Sequence, residues 1–368
     1  TLFLLLRLWK NPLAYLAPLF YLFSFTVLST SDYLTGVQLV VFTAALAIYL
    51  YEKKYVWISG IFWGLSLCVK AYALPAFLGF LVFLIWEKRY KDLFKNILSA
   101  FLTGLILVGP FFINSFSKTY EYLIWAHLHR VAGLDKYNVL LFFLKQEWFL
   151  LLAALASFWF VRQKIIWLPL LVSTVSLLIF NDIYYLYLDT IVPYLVVSVL
   201  ALMALIWQYS QKTKWGLAVL LGFYAAFVAG SFFIYYQQFV PDGKFANAPE
   251  VAEYIKNLKP GLKIYGGQET ASLVALLSDR EMLNNTDTNV GLFSAGILNK
   301  EIISQKAVEE GIYLVARITD LPEYGIKDAG IEGYFNKDVF TKNCQELKKF
   351  PTGTVGLDNF VGVYRCSK

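Results

Sequence analysis

The feature that most limits what this chain can fold into is the spacing of its charges over residues 1–236. Apolar runs of roughly 15–20 residues are separated there by short charged breaks, the pattern of membrane-spanning helices. In hydrocarbon every backbone N–H and C=O must find its partner within the protein, and a helix satisfies both inside one segment. The spacing predicts nine spans, over residues 11–29, 35–51, 55–69, 72–86, 93–113, 147–161, 165–181, 190–207 and 215–236. Positive charge falls at every second turn: Arg7/Lys10, Lys53/Lys54, Lys88/Arg89/Lys91/Lys95, Arg162/Lys164 and Lys212/Lys214. That side is expected to be cytoplasmic. The turns at Asp32, Lys70, 114–146 and Asp182–Asp189 then face outward, and nine crossings carry the C-terminal part outside as well.

Composition sharpens the division. Residues 1–236 hold 17 Lys/Arg and 9 Asp/Glu, whereas residues 237–368 hold 15 and 17. The net charge of +6 is therefore a topology signal, and no nucleic-acid partner is expected. After Pro241 the pattern turns to alternating helices and strands. A helix is expected over Pro249–Leu258, a strand over Leu262–Tyr265 ending at Gly266-Gly267, a helix over Glu269–Leu277, and strands over Tyr313–Ala316 and Phe360–Tyr364. The expected fold is thus a polytopic α-helical membrane domain, residues 1–236, followed by a soluble extracytoplasmic α/β domain, residues 237–368. Cys68 reads as inert packing, while Cys344 and Cys366 read either as a disulfide or as two free thiols. The chain opens at Thr1 on apolar residues without a leader, so a preceding segment is expected.

Few residues in the apolar part can carry chemistry. Both histidines, His127 and His129, lie in Leu123-Ile-Trp-Ala-His-Leu-His-Arg-Val-Ala-Gly133. Tyr120–Ala132 has the spacing of an amphipathic interfacial helix, on which His127 and Arg130 share a face and His129 points elsewhere. A guanidinium holds phosphate bidentately, and an imidazole binds a metal or moves a proton; both side chains could equally snorkel to lipid headgroups. Asp32 could position an acceptor hydroxyl or a cation, or simply cap the following helix. Lys70 lies between two short spans, where it could neutralise a phosphate in a water-filled cavity or act as an anchor. Asp182 and Asp189 read as solvated turn residues or helix caps. No Walker loop, nucleophile elbow or His-Glu-x-x-His occurs, and Gly266-Gly267 reads as a turn from strand to helix.

Four stretches together resemble a known family. They are Ser31-Asp32-Tyr-Leu-Thr-Gly with Ala44-Ala-Leu-Ala-Ile-Tyr49, Gly60-Ile-Phe-Trp-Gly-Leu-Ser-Leu-Cys-Val-Lys-Ala-Tyr-Ala-Leu-Pro75, Trp125-Ala-His-Leu-His-Arg-Val-Ala-Gly133, and Tyr184-Tyr-Leu-Tyr-Leu-Asp-Thr-Ile-Val-Pro193. In this order they are similar to the GT-C superfamily of integral-membrane glycosyltransferases, closest to its protein O-mannosyltransferase and lipid A aminoarabinose transferase branch. The likeness covers roughly residues 10–236. Ala126 stands where that family has an acidic residue.

The resemblance implies inverting transfer of a sugar from a polyprenyl-phosphate donor to an acceptor hydroxyl on a glycan, lipid or protein at the outer face. Lys70, Arg130 and His127 would bind the donor phosphate, His127 being also a candidate ligand for a divalent metal cation. Asp32 would place the acceptor or a metal. The family's principal catalytic carboxylate lies in a first outer loop that would precede Thr1. Two other classes fit the same residues: a ligase or polymerase of lipid-linked glycans, and a non-enzymatic transporter or receptor.

Overall fold

The computed structural model describes residues 1–30, 36–129, 136–158, 163–180, 183, 185–210, 216–239, 247–285, 290–317, 330–351 and 360–368. The chain forms two compact units: Thr1–Phe116 with Leu134–Gln237, and Ser117–Gly133 with Gln238–Lys368. The later boundary between the units falls at Gln237/Gln238. Segment 117–133, however, groups with the second unit instead of with the apolar part. The Trp125 indole N–H donates to the Ala295 carbonyl at 3.3 Å, across 170 positions of sequence.

The first unit is built from helices. In chain order these are α1 (Leu2–Leu8), α2 (Ala17–Leu22), α3 (Phe25–Thr30), α4 (Val37–Glu52), α5 (Val56–Val69), α6 (Leu74–Trp86) and α7 (Tyr90–Asn114). Next come α8 (Phe116–Tyr120) and α9 (Ala126–His129), joined by a π-helical turn over Glu121–Trp125. The first unit resumes with α10 (Lys136–Gln146), α11 (Trp148–Phe158), α12 (Lys164–Ile179), α13 (Val192–Ser210) and α14 (Gly216–Phe239). Eight of the expected runs hold one helix each; the run 11–29 instead breaks at Phe23-Ser24, between α2 and α3. Among the described residues, α7 is the one helix long and apolar enough to cross a bilayer, and α10 with α11 passes only as a pair bent by 81°. The 16 residues of α4 reach about 24 Å, short of a core of about 30 Å.

In α7 the polarity of a water-soluble helix is inverted. Its buried stripe is Asn96, Ser99, Ala100 and Thr103, at helical spacing. The outer side carries Phe94, Phe101, Phe111, Ile106 (71% exposed) and Ile113 (86% exposed). The buried stripe meets Gly60 and Gly64 of α5. A Cβ on Gly64 would lie 2.7 Å from both the Ala100 carbonyl oxygen and Thr103 Cβ, so only glycine lets the backbones approach this closely. Ser99 and Thr103 satisfy their hydroxyls on their own helix, donating to the Lys95 and Ser99 carbonyls at 2.6 and 2.8 Å. Ser66 reaches across to the Val40 carbonyl at 3.1 Å, tying α5 to α4.

Three of the cationic turns share one construction, while Arg162, Lys212 and Lys214 lie outside the described residues. Lys10, Lys54 and Lys88 have φ of +56°, +69° and +56°. After each, the next N–H reaches back over the helix end: Asn11 to Leu6 at 2.9 Å, Tyr55 to Leu50 at 2.9 Å and Arg89 to Leu84 at 2.8 Å. Glycine usually occupies that left-handed position, so a lysine there is held against a steric preference. These turns also meet one another. Trp9 donates to Glu52 at 2.9 Å, Arg89 donates to the Tyr51 hydroxyl at 2.8 Å, and Lys164 pairs with Glu87 at 2.9 Å.

The second unit is an α/β sandwich. Its helices are α15 (Ala248–Lys256), α16 (Gln268–Ser278), α17 (Val290–Ser294), α18 (Lys300–Glu310) and α19 (Lys337–Asn343). Its strands β1 (Ile264–Gly266), β2 (Ile312–Arg317), β3 (Cys344–Pro351) and β4 (Phe360–Cys366) lie in the order β1-β2-β4-β3, with β1 and β2 parallel and the other pairs antiparallel. Ile312, Leu314 and Ala316 pack on one side with α18, whereas Tyr313 and Val315 pack on the other with α15 and α16. Burial on both faces explains why β2 is apolar from Ile312 to Ala316 instead of alternating. Gly266 closes β1 where a Cβ would strike the Val315 carbonyl at 1.9 Å. The expected elements of this unit all occur, with ends shifted by a few residues. Strand β3 escapes a pattern search because it is an edge strand whose charged side chains stay in solvent. Cys344 and Cys366 are register partners across β3 and β4 and form a disulfide.

Candidate functional site

Several of the expected outer segments come together at one end of the first unit. Lys70 terminates α5 in an extended conformation, with φ −156° and ψ 138°. Its Nζ lies 5.3 Å from the centre of the Tyr187 ring, a cation–π distance. Tyr187 stacks on Tyr72 with ring centres 3.6 Å apart, and Tyr72 meets the edge of Phe180 at 6.2 Å. Val37 and Leu186 pack into the same apolar cluster.

Asp32 lies outside the described residues, but both flanks of its segment are fixed here. Gln38 donates to the Thr30 carbonyl at 3.1 Å, bridging the two sides. Gly36 starts α4 with φ +77°, and a Cβ on it would touch Val69 at 3.1 Å, one residue from Lys70. Three of the four resembling stretches therefore converge through the Asp32 flanks, Lys70 and the turn Tyr185–Thr190. A half-buried lysine held among tyrosine rings is suited to an anionic group such as a phosphate.

His127 belongs to the second unit and is exposed on α9. Arg130 lies outside the described residues, so their shared face is not described. His129 packs by itself: its ring stacks on Trp125 at 3.6 Å, and its Nδ1 sits 3.0 Å from the Trp125 carbonyl. That accounts for His129 as a packing residue. Among the described residues no three His, Cys, Asp or Glu side chains gather as a metal-ligand set.

Asp189 departs from the expectation of a solvated turn residue. It is 0% exposed and accepts from the Tyr21 hydroxyl at 3.2 Å. The turn Tyr185–Thr190 folds inward as a 3-10 helix whose Leu186, Tyr187 and Leu188 are also buried, and this carries Asp189 with it. Asp182, its expected companion, lies outside the described residues. The sequence pattern also passes over Glu147, at 1% exposure, whose Oε1 accepts the Thr26 N–H at 2.7 Å. One available signal was a carboxylate abutting an apolar run, which reads as a helix start but here fills a helix break. No protein-family model, curated protein or solved structure matches this chain.

Proposed function

We propose that this chain is a polytopic membrane glycosyltransferase that moves a sugar from a polyprenyl-phosphate donor to an acceptor hydroxyl at the outer face. The membrane part of this reading is supported by α7, with its polar stripe inside and its apolar face outside. Large exposed apolar faces of this kind are rare on water-soluble monomers. The meeting of the cationic turns supports one cytoplasmic side. The Cys344–Cys366 disulfide suits an extracytoplasmic second unit.

The observation that carries the transferase reading is the convergence of Lys70, Tyr72 and Tyr187 with both flanks of the Asp32 segment. In this reading the donor phosphate binds beside Lys70, with the tyrosine rings excluding water around the ammonium. As the glycosidic bond breaks, the departing lipid phosphate gains charge, which Lys70 neutralises; the resemblance names Arg130 for the same role. By the resemblance His127 is a ligand for a phosphate or a divalent cation, and Asp32 orients the acceptor hydroxyl.

The test is transfer of labelled sugar from polyprenyl-phosphate donors by membranes holding the full-length protein. Lys70→Ala and Arg130→Ala are each expected to lower turnover by roughly 10²-fold or more. Unchanged turnover in both variants sinks the reading. A second reading, ion-coupled transport, draws on the two broken helices around Glu147. Sustained binding of lipid-linked sugar without turnover, together with ion-dependent uptake, favours that class.

A further inference from the structure

Two carboxylates in the first unit have no part in the proposed transfer. Glu147 stands at the 81° break between α10 and α11, and Asp189 in the turn Tyr185–Thr190. Their partners come from either side of a third irregular point, the break between α2 and α3. Thr26 donates its N–H to Glu147 Oε1 at 2.7 Å, and Tyr21 donates its hydroxyl to Asp189 Oδ1 at 3.2 Å. Each carboxylate thus has one oxygen engaged. The other two oxygens, Glu147 Oε2 and Asp189 Oδ2, are buried with no hydrogen-bond donor among the described residues. Tyr185 links the groups: its hydroxyl donates to Thr26 Oγ1 at 3.3 Å and feels the charge of both carboxylates. Among the described residues neither carboxylate forms an ion pair, and the only other charged group acting on Asp189 is Glu147.

We infer that Glu147 and Asp189 bind one hard divalent cation through their two free oxygens. Two like charges sealed in an apolar interior need compensation, and one divalent ion supplies it for both. The surrounding donors are all oxygen: the carboxylates with the hydroxyls of Thr26, Ser29 and Tyr185. That set selects ions of the magnesium, calcium and manganese class over thiolate- or imidazole-seeking metals. Simple protonation is the weaker solution. As they stand, neither Glu147 Oε2 nor Asp189 Oδ2 has a hydrogen-bond partner among the described residues, the other carboxylate included, whereas a shared acid proton would join them directly. The backbone points the same way, because helices interrupted inside an apolar bundle are tolerated where they line a polar site. This set does not include His127, and it does not depend on the transferase reading.

The experiment uses the purified full chain in detergent. Metal analysis after gel filtration is expected to find about one divalent ion per chain. Chelation by EDTA is expected to lower the melting temperature by about 5 °C or more, with recovery on adding Mg²⁺, Ca²⁺ or Mn²⁺. Glu147→Gln and Asp189→Asn should each abolish both the bound ion and the response. The inference is overturned if the wild type holds no metal and ignores EDTA, if Na⁺ alone restores stability, or if the variants respond as the wild type does. Variants more stable than the metal-free wild type, yet indifferent to metal, identify a neutral acid pair and also overturn it. Should neither variant fold, Tb³⁺ emission sensitised by Tyr21 and Tyr185 decides on the wild type. One-to-one emission displaced by Ca²⁺ supports the site, and its absence refutes it.

Discussion

The packing of α5 on α7 makes a sharp prediction through Gly64→Ala. The new Cβ would sit 2.7 Å from the Ala100 oxygen, 2.7 Å from Thr103 Cβ and 3.0 Å from Ala100 Cα. Ordinary contact begins near 3.4 Å, so α7 must retreat by about 0.7 Å. The first two neighbours are a main-chain atom and a Cβ, neither of which can rotate away. Overpacking of this kind costs about 1–3 kcal/mol. Alanine also gains about 1 kcal/mol over glycine in helix propensity, which masks part of the loss. Gly104→Ala, on α7 itself, is the control: a Cβ there meets nothing within 4 Å, so only the propensity term acts. The difference between the two variants isolates the packing term, expected at about 1–3 kcal/mol. Thermal melting in detergent should place Gly64→Ala below Gly104→Ala by about 3–8 °C. If Gly64→Ala melts at or above Gly104→Ala, close backbone approach through Gly60 and Gly64 is not what holds these helices together.

Other outcomes follow from single features. Lys88→Gly relieves a left-handed lysine (φ +56°) and should stabilise the protein by about 0.5–1 kcal/mol in melting experiments, whereas Lys88→Val should destabilise it. Replacing both Cys344 and Cys366 by serine opens a loop of 22 residues and should cost about 3 kcal/mol, read as earlier denaturant unfolding of the second unit. In a Cys68→Ser background, a single cysteine at Lys54 should react with an impermeant thiol reagent only from the cytoplasmic side. One at Lys118 should react only from outside; labelling of both from one side contradicts the alternating topology.

Much of the architecture was legible because its signals are local. Apolar runs, their charged punctuation and the change of pattern after Pro241 each depend only on neighbours in sequence. They therefore located most helices and the expected strands of the second unit. The candidate site was legible in part. Lys70 was visible as an ionisable residue between apolar runs, but its companions Tyr72 and Tyr187 are tyrosines among many, identified only by stacking at 3.6 Å. Strand β3 carries no alternation, since its pairing with β4 and not its own composition makes it a strand.

The sequence by itself determined that residues 1–236 would be helical and that the rest would form a separate α/β core. Hydrophobic runs and periodicity act over one or two turns and need no partner to be read. Only the tertiary structure decided that Ser117–Gly133, with His127, joins the second unit. It alone turned Asp189 from an apparent surface carboxylate into a buried one, with Glu147 buried in the same polar cluster. Burial of a charge depends on which distant segments close over it, here Tyr21, Thr26 and Tyr185, and no local pattern encodes that closure.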